Sequence, residues 1–270
     1  MLAHAVPVLT PEVFAEVREL ILGIAGIVLS HEKEELVKSR LASRLKQLRL
    51  SSYEQYLASA KTDRRELSNL VDVLTTNKTS FFREEHHFEF LQYQLFPSWA
   101  ALGRPVRIWS AGCSTGEEPY SLAMLCRQHL PGCEVRILAT DISLRVLKHA
   151  KAARYAEQQI SAVPHTLRAR FVRKPSRSDA EKLHEITEEA RSMVSFARLN
   201  LLGDWPMRGQ FDLILCRNVM IYFDDDTRTQ LACRFAERLA PGAPLFIGHA
   251  ESLGALTQPL QCIEPAVYRA

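Results

Sequence analysis

The chain has 270 residues, 34 basic and 31 acidic, for a formal charge of +3 at pH 7, with 47% hydrophobic and 24% charged side chains. That apolar content and small net charge exclude a disordered chain, and the length suits one large domain or two modest ones with a core that needs neither disulfide nor metal. The six cysteines, Cys113, Cys126, Cys133, Cys216, Cys233 and Cys262, form no CxxC pair, which reads as reduced, mostly buried thiols of a cytosolic protein. The longest apolar run, Leu20 to Leu29, is about half of the ~20 residues a membrane span requires, and no basic n-region precedes it. A cytoplasmic protein without direct membrane insertion is expected. A pI near 8.5 also falls below the roughly pH 9 of a basic nucleic-acid-binding domain.

From Thr10 to about Leu74 the pattern is helical. Thr10-Pro11 supplies an N-cap hydroxyl and a proline at the first helical position. Val37, Leu41, Leu45 and Leu48 repeat as one apolar stripe, and Ser52–Ala60 and Arg64–Leu74 continue as short amphipathic helices. Residues 1–74 are read as a small all-α domain and residues 75–270 as a second, α/β domain. There, strands are expected at Val106–Ala111, Val135–Asp141, Phe211–Cys216 and Pro244–Ile247. Helices are expected at Glu117–His129, Leu144–Ala152 and Thr227–Leu239. The alternation predicts a parallel sheet covered on both faces. Between about Glu157 and Ala197 the rhythm breaks at a basic turn, Arg173–Arg177, flanked by β-prone runs at Ala169–Val172 and Met193–Phe196. This piece is read as a small antiparallel β insertion.

Ser110-Ala111-Gly112-Cys113-Ser114-Thr115-Gly116-Glu117-Glu118 joins the first strand to its helix. Its glycines permit a tight turn and close approach of a ligand, as in dinucleotide folds, yet it is not GxGxxG and its carboxylate pair is unsuited to a pyrophosphate. Two acids at a helix start suit a ligand offering hydroxyl or ammonium groups, such as S-adenosylmethionine; the plainer reading is that they cap the helix. Asp141 closes the second strand, where an acidic residue can accept ribose hydroxyls.

The stretches TTNKTSFFRE (75–84), WSAGCSTGEEPYS (109–121), ATDIS (139–143), ARLNLL (197–202) and FDLILCRNVMIYF (211–223) resemble those of the chemotaxis receptor methyltransferase family, the CheR type, in order over almost the whole chain. The resemblance implies a Rossmann-like S-adenosylmethionine methyltransferase domain behind an all-α N-terminal domain. It implies methyl transfer to receptor glutamates, giving glutamate methyl esters and S-adenosylhomocysteine in chemosensory adaptation. By the same resemblance Asn77, Thr79 and Arg83 reach the cofactor from the inter-domain segment, and Glu118 and Asp141 hold its amino-acid end and its ribose or adenine side. Asn200 and Leu201 line the adenine, and Arg217 and Asn218 lie beside the methionine part. Which carboxylate takes which group stays open. Cys113 stands where the family usually has a small residue, and Lys78 where it often has an uncharged or acidic one.

A glutamate of reference pKa about 4.3 is already the anion at neutral pH, so the acceptor needs no general base. Arg83 and Tyr222 are the catalytic candidates: the family's matching arginine and tyrosine lie beside the reacting methyl. A guanidinium can orient a carboxylate bidentately, and a ring face attracts a cation. Adjacent His86 and His87 cannot share one metal from a helix, so no metal is expected. Lys33, Arg40 and Arg44 fall on one helical stripe and are candidates for docking the acidic methylation helices of the receptor. In some family members the β insertion grips a receptor C-terminal tail by strand addition; here its loop, Lys174–Leu183, lacks glycine and is strongly charged. Rival readings are a nicotinamide-dependent oxidoreductase and a cofactor-holding module that only signals.

Overall fold

The computed structural model describes residues 7–176, 181–253 and 260–269. The N-terminal unit is built from α1 (Pro11–Ala25), α2 (Glu34–Leu48), α3 (Tyr53–Thr62) and α4 (Arg64–Leu74). Thr10 caps α1, its hydroxyl accepting the Val13 N–H at 3.4 Å, and Gly26 ends it in the left-handed region at φ +68°. Val17, Ile21, Val37, Leu41, Leu45 and Leu70 are fully buried together. Leu48, expected on the same stripe, is 37% exposed. The chain reverses at Arg49 (φ +56°), and Leu50 packs on the core instead.

A linker leads to α5 (Glu85–Phe90), a π-helical turn and α6 (Phe96–Trp99). The second unit then runs β1 (Val106–Ala111), α7 (Glu117–His129), β2 (Val135–Asp141), α8 (Leu144–Ala152), β3 (Arg154–Tyr155), α9 (Glu157–Ile160), α10 (His165–Phe171), β4 (Val172–Arg173), β5 (His184–Ile186) and α11 (Glu188–Arg191). It finishes with β6 (Val194–Arg198), β7 (Leu213–Cys216), α12 (Asp225–Ala236), β8 (Pro244–Ile247), β9 (Gln261–Glu264) and β10 (Val267–Arg269).

The main sheet has the order β6-β2-β1-β7-β8-β10-β9. Its first five strands are parallel, and β10 runs antiparallel to both β8 and β9. The apolar runs of β7 and β8 are continuous because both faces are covered, whereas β6 at the sheet edge is half-exposed. Along β7, Leu213 and Leu215 enter the core beneath α7, while Ile214 and Cys216 enter the core beneath α12. The fold is therefore an all-α N-terminal domain followed by a Rossmann-like α/β domain. A separate small sheet, β3-β5-β4, is antiparallel throughout.

Two runs expected as strands of the insertion take other forms. Met193–Phe196 leads into β6, which pairs in parallel with β2 from Ile137↔Val194 to Asp141↔Arg198 because Val194 and Phe196 pack over Ala139 and Leu147. Ala169–Phe171 ends α10, and only Val172 begins a strand. Part of the charged loop, residues 177–180, lies outside the described residues. No helix among the described residues is long and apolar enough to cross a membrane.

Candidate active site

The chain leaves β1 toward β2 on one side and later returns to pair β7 on the other, so the sheet's order reverses at β1. Crevices at the carboxyl ends of strands beside such a switch point bind ligands in open α/β sheets. Here the crevice is closed from above by the N-terminal unit and its linker, making a cleft of about 1170 Å³ counted to its open mouth. Asn77, Thr79, Arg83, Glu118, Asp141, Asn200, Leu201, Arg217, Asn218, Tyr222 and Lys33 all line it, whereas Arg40 and Arg44 do not.

Glu118, in the first turn of α7, and Arg217, just after β7, meet across the switch point. Arg217 Nη1 donates to Glu118 Oε2 at 3.2 Å, and its Nη2 to Glu84 Oε2 at 3.0 Å. The Ser110 hydroxyl donates to Glu118 Oε1 at 2.6 Å. Burial raises the Glu118 carboxyl above its ordinary range, against the pull of Arg217 and Ser110. Burial also acts on Glu84, but Arg217, Asn218 and the His249 N–H outweigh it and hold that carboxyl low. Glu117, the other acid of the pair, turns away from the cleft: it accepts from the Thr115 hydroxyl at 2.6 Å and from Gln159 at 2.9 Å.

Asp141 accepts the Ser114 N–H and the Ser143 N–H, each at 2.9 Å, and so ties the loop after β1 to the end of β2. Burial raises its carboxyl, and those N–H groups oppose the shift. The glycines of the loop answer to packing. A Cβ on Gly112 (φ +84°) would stand 2.4 Å from Val219 Cγ2, and one on Gly116 (φ +97°) 2.8 Å from the Tyr155 hydroxyl. The tight turn foreseen from the sequence is present, with protein atoms rather than open cleft where the glycine Cβ atoms would stand. Cys113 lines the cleft as a neutral thiol, since burial lifts it well above its usual range.

On the linker, the Asn77 carbonyl accepts from the Ser114 hydroxyl at 3.0 Å, and Arg83 Nη1 donates to the Lys78 carbonyl at 2.9 Å. Asn200 Nδ2 donates to the Ile24 carbonyl at 2.7 Å, joining the two units. Tyr222 donates to the Thr76 carbonyl at 3.4 Å, with Lys33 Nζ 5.5 Å from its ring centroid. Tyr222 and Lys33 thus meet at the cleft wall, with Arg83 close enough to Tyr222 to act on it electrostatically.

The other two members of the expected docking stripe are engaged inside the protein. Arg40 Nη1 donates to the Val73, Leu74 and Thr75 carbonyls at 3.3, 2.9 and 3.1 Å, filling the acceptors left open at the end of α4. Arg44 grips Glu66 bidentately at 2.7 and 2.6 Å. Their spacing on the α2 surface is as expected, but their guanidinium groups turn toward α4 to satisfy partly buried acceptors.

Two acids central to this arrangement were not singled out as site residues from sequence. Glu84, next to Arg83 in the chain, reaches Arg217, Asn218 and the His249 N–H. Glu251 accepts from the turn after β7. His86 and His249 meet Nε2 to Nε2 at 2.7 Å, so His249 is a hydrogen-bonding residue outside the cleft lining. Among the described residues no group of three or more His, Cys, Asp or Glu is placed to hold a metal ion.

The donor set suits a phosphate-free zwitterion. The deep cation, Arg217, is already shared between two carboxylates, leaving acidic and amide groups for ammonium and hydroxyls, and Ile142, Leu201 and Val219 for an apolar ring. Residues 77–268 match the family model for the CheR methyltransferase SAM binding domain, and residues 12–75 that for the CheR methyltransferase all-alpha domain. Chemotaxis protein methyltransferase 2 of Pseudomonas aeruginosa is 40% identical over 262 residues, 96% of this chain and 93% of that protein. The chemotaxis protein methyltransferase of Borreliella burgdorferi is 36% identical over 273 residues (97% and 95%), and that of Escherichia coli 38% over 250 (90% and 85%). The cofactor of the cleft is S-adenosyl-L-methionine. Matched along both of its domains, the chain belongs to the CheR methyltransferase family.

Proposed function

We propose that the protein methylates glutamate side-chain carboxylates on the cytoplasmic signalling helices of chemoreceptors, as a protein-glutamate O-methyltransferase of chemotaxis. The relatives' names supply the setting. The observation that carries the choice of acceptor is the lack of a free base among the described residues of the cleft. No histidine lines it, Cys113 is a neutral thiol, Glu118 is held by Ser110 and Arg217, and Asp141 by two backbone N–H groups. An acceptor that must lose a proton on attack needs a base, whereas a carboxylate needs none.

Bound in the cleft, S-adenosylmethionine supplies a methyl group made electrophilic by its sulfonium. Asn77, Thr79, Glu118, Asp141, Asn200, Leu201, Arg217 and Asn218 are proposed to hold it. Arg83 and Tyr222, which also line the cleft, are proposed to take the acceptor: the guanidinium in a two-pronged grip on its carboxylate, and the tyrosine hydroxyl donating to it in place of the Thr76 carbonyl. Fixing two reactants in line near 3–3.5 Å is worth roughly 7–11 kcal/mol of barrier, so orientation alone can carry most of the catalysis. Lys33, which keeps its place at the cleft and no side-chain hydrogen bond among the described contacts, is the docking cation retained from the expected stripe. A receptor tail adding a strand at β3 or β4 is a separate, second contact.

The test is incubation with labelled S-adenosylmethionine and a chemoreceptor cytoplasmic fragment, with and without its C-terminal tail. Base-labile methyl esters at glutamates, lost when those glutamates are replaced by glutamine, are the expected result. Base-stable label, or cofactor binding without transfer to any receptor fragment, would overturn the assignment.

A further inference from the structure

We propose that Glu251 is a positioning residue for methyl transfer: its buried carboxylate gathers the backbone N–H groups of the turn after β7 and so sets where Asn218 and Tyr222 stand in the cleft. The inference rests on the methyltransferase reading above.

Glu251 is 8% exposed and lies behind the cleft wall rather than in it. Its Oε2 accepts the Asn218 N–H at 2.8 Å and the Gly248 N–H at 2.5 Å, and its Oε1 accepts the Ile221 N–H at 3.1 Å. Burial raises the carboxyl while these donors oppose it, so the anion is held by backbone dipoles. The turn it holds is short and unusual. Asn218 is left-handed at φ +58°, and Met220–Tyr222 form one turn of 3-10 helix, with the Tyr222 N–H on the Val219 carbonyl at 3.2 Å.

The first N–H groups of such a turn have no partner within it and need an acceptor from outside. Glu251 supplies that acceptor from the loop after β8. The fit is close: a Cβ on Gly248 would stand 2.8 Å from both the Asn218 nitrogen and Glu251 Oε2. On its far side the same turn presses Val219 into the space that a Cβ on Gly112 would fill, 2.4 Å from Val219 Cγ2. The segment is thereby clamped between Glu251 and the loop after β1. Arg217, Asn218 and Tyr222, which project from it, cannot shift without breaking one of those contacts.

Replacing Glu251 by glutamine keeps the volume but removes the charge and turns one acceptor into a donor facing backbone N–H groups. With Glu251→Gln, kcat for methylation of a receptor fragment is expected to fall about 10- to 100-fold while the KM for the fragment stays within about twofold. Affinity for S-adenosylhomocysteine, read by calorimetry, is expected to fall about tenfold through Asn218. In a Tyr222→Phe background the same change should cost markedly less in kcat than in wild type, since both act on one group. If Glu251→Gln does not fold, Glu251→Asp, which keeps the anion but draws it back, serves in the same comparisons.

A folded variant with wild-type kcat and cofactor affinity overturns the proposal, and so do losses that simply multiply in the double variant. A wild-type protein that methylates no receptor fragment overturns the methyltransferase reading instead, and the calorimetric comparison then decides the role of Glu251.

Discussion

At Asp141 a structural task and the proposed hold on the cofactor fall on one side chain. Its two oxygens are each bonded to a backbone N–H, yet the carboxylate retains further acceptor positions on the cleft side. Asp141→Ala leaves the Ser114 and Ser143 N–H groups unpaired, a cost of about 1–3 kcal/mol each. Calorimetry with S-adenosylhomocysteine should show affinity lower by about 5- to 150-fold, and unchanged affinity in a folded variant would refute the assignment. His87 gives a prediction of another kind. It is fully buried against Phe246, rings stacked at 4.6 Å, and burial, then Arg217 and His86, pull its pKa down to about 2. The native state keeps it neutral while the unfolded chain protonates it near pH 6.5. Its stabilisation is complete above that pH and is lost as pH falls toward 2, at about 1 kcal/mol per pH unit. Urea denaturation at pH 7 and pH 5 should therefore show a steeper loss for wild type than for His87→Phe; equal slopes would contradict it. At this scale the cleft-lining residues were legible through the family resemblance, whose motifs carry Asn77, Thr79 and Arg83 on the linker and Asp141, Asn200, Leu201, Arg217 and Asn218 at or just beyond the ends of strands. The sequence could not disclose the partners of Arg217 and Asn218. Glu84 is 133 positions from Arg217 and Glu251 33 from Asn218, and no local spacing encodes such contacts.

Among the elements, α2 is where surface and fold compete for the same residues. Its helical register is plain in the sequence, but a register says which side a side chain starts from and not where a long guanidinium ends. The Arg44–Glu66 pair, 20% and 8% exposed, is partly buried and bidentate. Reversing Arg44 to Glu sets two carboxylates together, and reversing Arg40 strips three carbonyls at the end of α4 of their donor. Breaking such a pair is expected to cost about 2–3 kcal/mol, below the fully buried case because Arg44 keeps some water contact. The double reversal should lower the melting temperature by several degrees. Lys33→Glu should leave melting unchanged while raising the receptor KM, an effect that shrinks with added salt as exposed charges are screened. A double reversal that melts like wild type would mean that the α4 contacts carry no stability. The strands teach the same lesson about range. Capping and apolar runs placed β1, β2, β8, α7 and α8, because their signals lie within the segments themselves. The run Met193–Phe196 was legible as β-prone but not as to which sheet it joins, since that depends on β2, some sixty residues upstream in register (Ile137↔Val194).

For the molecule as a whole, the cofactor cleft exists only while the N-terminal unit stays seated on the sheet domain. Contacts across the seam do this, among them the Val28 N–H on the Tyr222 carbonyl at 2.8 Å, Asn200 on Ile24, the Arg145 N–H on Asp72 Oδ2 at 3.4 Å, and Ile142, Tyr222 and Phe223 packed on the N-terminal core. Gly26 is needed twice over, for its φ of +68° and because a Cβ there would stand 2.3 Å from Leu202 Cδ1. Gly23, one turn earlier in α1, meets nothing within 4 Å. The pair makes an internal control. Gly23→Ala sits in an unstrained helix and should stabilise by about 0.4–1 kcal/mol, with cofactor affinity unchanged. Gly26→Ala strains the cap and forces Leu202 aside at the seam between the two units, which is expected to loosen the walls carrying Lys33 and Asn77 against those carrying Asp141 and Asn200. Ligand at 100 times its dissociation constant stabilises by about 2.7 kcal/mol; melting scans at one fixed concentration should show this shift preserved in Gly23→Ala and clearly reduced in Gly26→Ala. Equal ligand-induced shifts in the two variants would mean that the cleft binds its cofactor through the sheet domain alone.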